Sequence, residues 1–294
     1  MKTFKKNSIE VQEFEGVNEF ARFCEGDMNK AFKKHYNNNR CLACSHEQYE
    51  SYTKFSGTAS YEEANNLMVD GYQDGLKNLK ETKTKLTERA TQQRPQIKLD
   101  VVGFAPCVPN AIIGLPKSMI KREKSIQKTP IVNIFYNVFL SGTNDKKVLF
   151  EGGKNLLAAI KTLEAQGLRV NLKIGVVTFS SLKDDAPKMC SVVIKKASQT
   201  LNPLLVSYPL THPSFFRRHI FAWMETSTLT SASGFVNGYG YIFEVHPKVR
   251  ELGERNFLKR EGILSENEYY IKVTEAANAE SLDDLFRTMG LLKK

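Results

Sequence analysis

The chain contains no uninterrupted apolar run near the ~18 residues that a membrane-spanning helix needs, so no spanning helix is expected. Its start, from Met1 to Lys6, is basic but leads directly into Ile9-Glu10-Val11-Gln12-Glu13, which is no signal-peptide core, so secretion by that route is not expected. Five cysteines in 294 residues are too few, and odd in number, for a disulfide framework; they suit a reducing compartment. No Gly-x-Ser-x-Gly elbow and no His-Glu-x-x-His pair occurs. Glu151-Gly152-Gly153-Lys154-Asn155 fails as a phosphate loop, because Val148 stands where the first glycine belongs and Asn155 where Ser or Thr belongs. Gly234, Gly238 and Gly240 precede a strand pattern and not a helix, so they are no dinucleotide fingerprint. His212 and His219 and the aspartate pair Asp184-Asp185 complete no recognisable acid–base set; the acids read as solvated loop residues. Wholesale disorder is excluded too, since 41% of the residues are hydrophobic.

What the chain has in excess is positive charge: 42 Lys and Arg against 32 Asp and Glu, a net +10. Between Lys77 and Lys128 twelve basic residues face four acids, a net +8, so nearly all of the excess lies in one stretch. Lys77, Lys80, Lys83, Lys85, Arg89, Lys117, Lys121, Arg122 and Lys124 are the candidates there for phosphate contact. Phe104 is the sole aromatic in that stretch, too little for the stacking platform of a single-strand binder. The bland alternative is a solvated helix face followed by a basic loop.

Periodicity orders the rest. Residues 1–50 are polar and rich in Asn and Lys. Ser60-Tyr61-Glu62-Glu63 predicts a capping box, with Ser60 accepting from the Glu63 N–H and Glu63 returning to the Ser60 N–H. The helix it opens is expected to run through Leu76 and Leu79 towards Leu86 and to stop before Pro95. Ile97 to Gly103 alternates as a strand does, and the proline-punctuated stretch Ala105 to Pro116 reads as loop. From Ile131 the pattern is strand, helix, strand. Ile131–Leu140 is almost continuously apolar; Leu156, Leu157, Ile160 and Leu163 make a helical stripe closed by Gly167; Arg169–Phe179 is the next strand. A crossover of that kind implies a parallel pair. Ser191–Ile194 and Leu204–Tyr208 read as short strands, and Pro213 as the first turn of a helix through Met224. Asn237-Gly238 predicts a tight hairpin. Tyr269–Val273 predicts a strand, and Ser281 opens a final helix. The expected division is a helical, partly polar region over 1–96 and an α/β domain over 97–294 with a mostly parallel sheet flanked by helices.

Cys41-Leu42-Ala43-Cys44-Ser45-His46, with His35 upstream, offers two thiols and two imidazoles, which is the ligand set of a tetrahedral zinc. The usual pattern has two separated pairs, and the competing reading is an Asn-rich surface loop with two reduced cysteines. Zinc at His35, Cys41, Cys44 and His46 is the one cofactor the sequence suggests.

The runs Phe14–Phe20 and Phe55–Ala64 with Gly71-Tyr72, and the stretch Gly103-Phe104-Ala105-Pro106-Cys107-Val108-Pro109 with Gly114–Ile120, resemble a bacteriophage-associated protein family. The later part of the chain resembles a von Willebrand factor A-type domain, a Rossmann-like α/β fold. That resemblance implies a non-enzymatic, phage-encoded protein that binds another protein in an assembly, in the bacterial host cytoplasm or in the virion. It also implies a cation motif, Asp-x-Ser-x-Ser, at the end of the first strand. Here the strand end carries Asn137, Ser141 and Thr143, without the leading Asp, so the cation site reads as degenerate. The alternative function is sequence-independent nucleic-acid binding through the 77–128 segment, with a divergent nuclease behind it.

Overall fold

The computed structural model describes residues 1–25, 50–79, 97–122, 131–140, 145–179, 187–227, 229, 241–242, 246–265 and 267–292. Strands β1 (Lys2–Lys6) and β2 (Ile9–Phe14) open the chain, residues 17–25 form helix α1, and helices α2 (Glu50–Ser56) and α3 (Tyr61–Asp70) follow. Strands β3 (Ile97–Asp100), β4 (Ala105–Pro106) and β5 (Met119–Arg122), with helix α4 (Val108–Ile112), make a small unit of their own. The body continues with β6 (Ile131–Asn137), α5 (Lys146–Ala165), β7 (Arg169–Phe179), β8 (Lys188–Lys195) and α6 (Pro203–Thr211). A π-helical turn over Phe215–Ile220 leads into α7 (Phe221–Thr226), then β9 (Tyr241–Ile242), α8 (Pro247–Leu252) and α9 (Glu254–Arg260). Strand β10 (Glu268–Lys272) and helices α10 (Val273–Asn278) and α11 (Leu282–Met289) complete it.

The main sheet runs β1-β2-β8-β7-β6-β10, with β9 beside the far end of β7. As the crossover predicted, β6 and β7 are parallel, and β10 joins β6 in parallel on its other side. Strand β8 returns antiparallel to β7, β2 lies parallel to β8, and β1 closes the edge as an antiparallel partner of β2. The fold is therefore mixed α/β with a mostly parallel core. Alternation along β7 sends Val170, Leu172, Ile174 and Val176 into the larger apolar core under α5, α6, α10 and α11. Val177 and Phe179 go into a smaller one under α8 and α9. Edge strand β1 is exposed throughout and carries Lys2, Lys5 and Lys6, which discourages pairing with another sheet.

Strands β1 and β2 put residues on both sides of position 97 into one sheet. Acids of β2 are matched to lysines of the strands beyond it: Glu13 to Lys173 at 2.8 Å and Glu10 to Lys188 at 2.5 Å. Inside, the Gln12 side-chain carbonyl accepts from the indole N–H of the one tryptophan, Trp223 (2.6 Å), and from the Ser227 hydroxyl (2.7 Å), tying β2 to α7.

Several local expectations are revised. The Ser60 cap is present, accepting from the Glu63 N–H at 2.9 Å, but the Glu63 carboxylate returns to the Ala59 N–H (2.6 Å) and not to that of Ser60. Helix α3 stops at Asp70, where Gly71 turns the chain with φ +84 against Leu204, and does not continue towards Leu86. Leu204–Tyr208 is helix α6 and not a strand: Asn202 caps it by accepting from the N–H groups of Leu204 and Leu205, and Pro203 opens it. The Gly152-Gly153 pair lies within α5, and a Cβ on Gly153 would stand 2.0 Å from the Leu210 carbonyl oxygen, so glycine permits the close packing of α5 on α6. The helix expected from Pro213 does begin there, with Phe215–Ile220 wound as a π-turn before α7. The Asn237-Gly238 hairpin lies outside the described residues.

Candidate functional site

The unit formed by β3, β4, α4 and β5 inverts the ordinary distribution of polarity. Ile97 is paired with Arg122 and Asp100 with Met119, so the chain enters and leaves this antiparallel ribbon at one end. Everything between lies at the other. Loop 101–104 returns through the Phe104 N–H bonded to the Ile120 carbonyl at 2.9 Å. Helix α4 is held by the Cys107 N–H on the Ser118 carbonyl (2.6 Å) and the Leu115 N–H on the Asn110 carbonyl (3.0 Å). At this tip Val101, Val102, Phe104, Val108, Ile112, Ile113 and Leu115 are each 46–77% exposed. Lone exposed apolar residues are ordinary, but a contiguous apolar patch marks a surface that something covers. Charge lies along the ribbon: by sequence residues 97–122 hold Lys98, Lys117, Lys121 and Arg122 against one acid, Asp100, a net of +3, with Arg122 at the end away from the tip. Lys121 is bonded to Asp100 at 2.6 Å, and that contact, with the backbone N–H of Val101, holds the Asp100 carboxyl below its usual range.

The sequence marked the basic residues of this unit and not its tip. The signal was there: four large aliphatic side chains, Val108, Ile112, Ile113 and Leu115, in the short stretch between Pro106 and Pro116.

A second arrangement lies at the end of β6. This strand has β7 on one side and β10 on the other, the point in an open α/β sheet where ligands tend to sit. Here Asn137, at the first position of the expected cation motif, spends its amide internally. Its Oδ1 accepts from the Phe139 N–H (3.0 Å) and its Nδ2 donates to the Tyr270 hydroxyl (2.8 Å), which donates in turn to buried Glu254. Lys272 stands 3.6 Å from the same carboxylate. Burial, and then the neighbouring Glu254, push the Tyr270 phenol well above its usual range, so it stays a neutral donor.

A third arrangement is a buried chain of polar side chains around the π-turn. His219 is bonded through its two ring nitrogens to the Tyr61 hydroxyl (3.0 Å) and the Tyr208 hydroxyl (3.1 Å). Tyr208 meets the Ser214 hydroxyl at 2.8 Å, and Ser214 meets His212 Nδ1 at 2.7 Å. Beside it, buried Arg218 donates to the hydroxyl and the carbonyl of Thr58, both at 2.6 Å. Burial drives His219 down to about 3 and His212 to about 4, so both are neutral at neutral pH. The Ser214–His212 contact has the reach of a nucleophile and its base. Ser214 is fully buried, however, and its hydroxyl is shared with Tyr208, so the chain binds the α3 region to the body.

Of the basic candidates, Lys117, Lys121 and Arg122 are spread along the ribbon from the tip end to the entry end, while Lys77 is paired with Asp74 at 2.5 Å. Lys80, Lys83, Lys85, Arg89 and Lys124 lie outside the described residues, as do His35, Cys41, Cys44 and His46 and the motif residues Ser141 and Thr143. Among the described residues no three His, Cys, Asp or Glu side chains converge as metal ligands, and no helix is long and apolar enough to cross a membrane.

Searches of curated proteins and of solved structures gave no match. A family model does match, over residues 4–293, nearly the whole sequence. The chain belongs to the family described as domain of unknown function DUF7192.

Proposed function

We propose that this is a non-enzymatic, phage-encoded assembly protein that binds another protein, with a von Willebrand factor A-like α/β body as the scaffold and the 101–115 tip as the docking surface. The observation that carries the reading is the tip: seven large apolar side chains held in the open by a hydrogen-bonded ribbon of net positive charge. Burying one such side chain is worth about 1.5–3 kcal/mol, so covering a few of them outweighs a substantial part of the cost of association. That charge supplies steering towards an acidic partner. The order β8-β7-β6-β10, with β8 antiparallel and β6 at the reversal, supports the A-type reading of the body. The internal use of the Asn137 amide supports a degenerate cation position.

A photo-crosslinking residue in place of Ile112, in producing cells, tests the reading. A discrete protein adduct is expected there, absent with the same residue at exposed Lys161, and lost when Ile113 is also changed to Asp. Adducts to nucleic acid, or none, would overturn it; the former would make phosphate binding by Lys117, Lys121 and Arg122 the primary function.

A further inference from the structure

We infer that the tip docks on a second copy of this chain, at the face made by α3 and the turn that follows it. The inference rests on the docking reading above and names its partner. In a chain of net +10, the segment Tyr61–Leu76 holds Glu62, Glu63, Asp70 and Asp74, all exposed, and no lysine or arginine; other stretches with four acids and neither basic residue, such as Val273–Phe286, do not expose all four. Lys77, next along, pairs with Asp74, and the other three acids keep the face negative. Two large apolar side chains close in sequence to the junction of α3 with α6 stand open. Val69 on α3 is 68% exposed, and Leu205 on α6 is 41% exposed. The two helices are joined there, since the Tyr72 N–H donates to the Leu204 carbonyl (3.2 Å) and the Ser207 hydroxyl to the Tyr72 carbonyl (2.6 Å). A basic apolar projection and an acidic apolar face thus exist on the same polypeptide, complementary in charge and in hydrophobicity.

Docking of tip on tip is disfavoured, because it would bring two units of the same positive sign together. Tip on α3 face uses two different patches, so a pair formed by one such contact still carries one free tip and one free face. Such a heterologous contact continues from copy to copy into a ring or an open chain, which is the behaviour of an assembly protein.

The full-length chain tests this by sedimentation velocity from about 1 µM to about 100 µM. The mass of the wild type should rise with concentration and fall as salt is added. Ile112→Asp with Ile113→Asp, and separately Glu62→Lys with Asp70→Lys, should each weaken association at least about tenfold, with thermal unfolding showing that both variants fold. Val69→Asp takes the place of the α3 variant if that one does not fold. The decisive arm mixes the two variants. One keeps a sound face and the other a sound tip, so together they should form a one-to-one dimer and nothing larger. A wild type that stays monomeric over the range, or a mixture that does not dimerise, overturns the inference. If crosslinking at Ile112 still captures a different protein in cells, the docking reading survives that failure; if it captures nothing, both fall.

Discussion

The buried chain from Tyr61 to His212 and the tip over 101–115 treat polarity in opposite ways. Around the π-turn, five polar side chains are taken out of water and each is given a partner, so the desolvation cost is offset and one packing of α3 on the body is specified. On the ribbon, apolar side chains are left in water although hydrogen bonds hold their backbone in place. The first arrangement is complete within one chain. The second is complete only when something else covers it. Stability should therefore reside in the buried chain and association at the tip, and variants can separate the two.

The largest expected effect on stability comes from His219→Leu. It leaves the Tyr61 and Tyr208 hydroxyls short of a partner in a dry site, and urea unfolding should show a loss of about 3 kcal/mol. Acid comes next. Both histidines titrate lower in the folded chain, at about 4 and about 3, than the usual 6.5 of an unfolded one. The unfolded chain then binds more protons through that window. The contribution to stability is whole above pH ~6.5 and declines as pH falls towards the folded values, with a slope approaching ~1.4 kcal/mol per pH unit for each histidine. Unfolding midpoints at neutral pH and near pH ~5 should show this decline, and His219→Gln should flatten it by its share. Tyr61→Phe removes one hydrogen bond to His219 and should cost about 1 kcal/mol in the same assay. Ile112→Asp should change stability by less than ~0.5 kcal/mol, since the side chain is exposed, while association is lost. If Ile112→Asp unfolded the protein, or His219→Leu left it untouched, the contrast between the two regions would fail.

How legible these regions were in the sequence follows from their periodicity. Strands β6 and β7 and helix α5 were readable because a strand buried on both faces is continuously apolar and a helix on a sheet shows one stripe. Leu204–Tyr208 misled because α6 is buried on nearly every side, which erases the helical period; its Asn202 cap and Pro203 were the better signals. Strand β1 is lysine-rich and wholly exposed, so it carries no burial pattern to read. The tip was hidden for a different reason. Its elements are two to five residues long, shorter than either period needs, and what matters there is exposure, which sequence does not display. His212 and His219 are linked through Ser214 and Tyr208, a connection that their spacing in the sequence does not show.

Cys107 reports directly on whether the tip is covered. It caps α4 and is half-exposed, while Cys24 and Cys190 are buried. In a Cys41→Ser, Cys44→Ser background, its rate of alkylation can be compared between dilute purified protein and the protein in producing cells. The account predicts rapid labelling when dilute and labelling slowed at least about tenfold in cells, with the rate restored by Ile112→Asp. Equal rates in the two settings would contradict it.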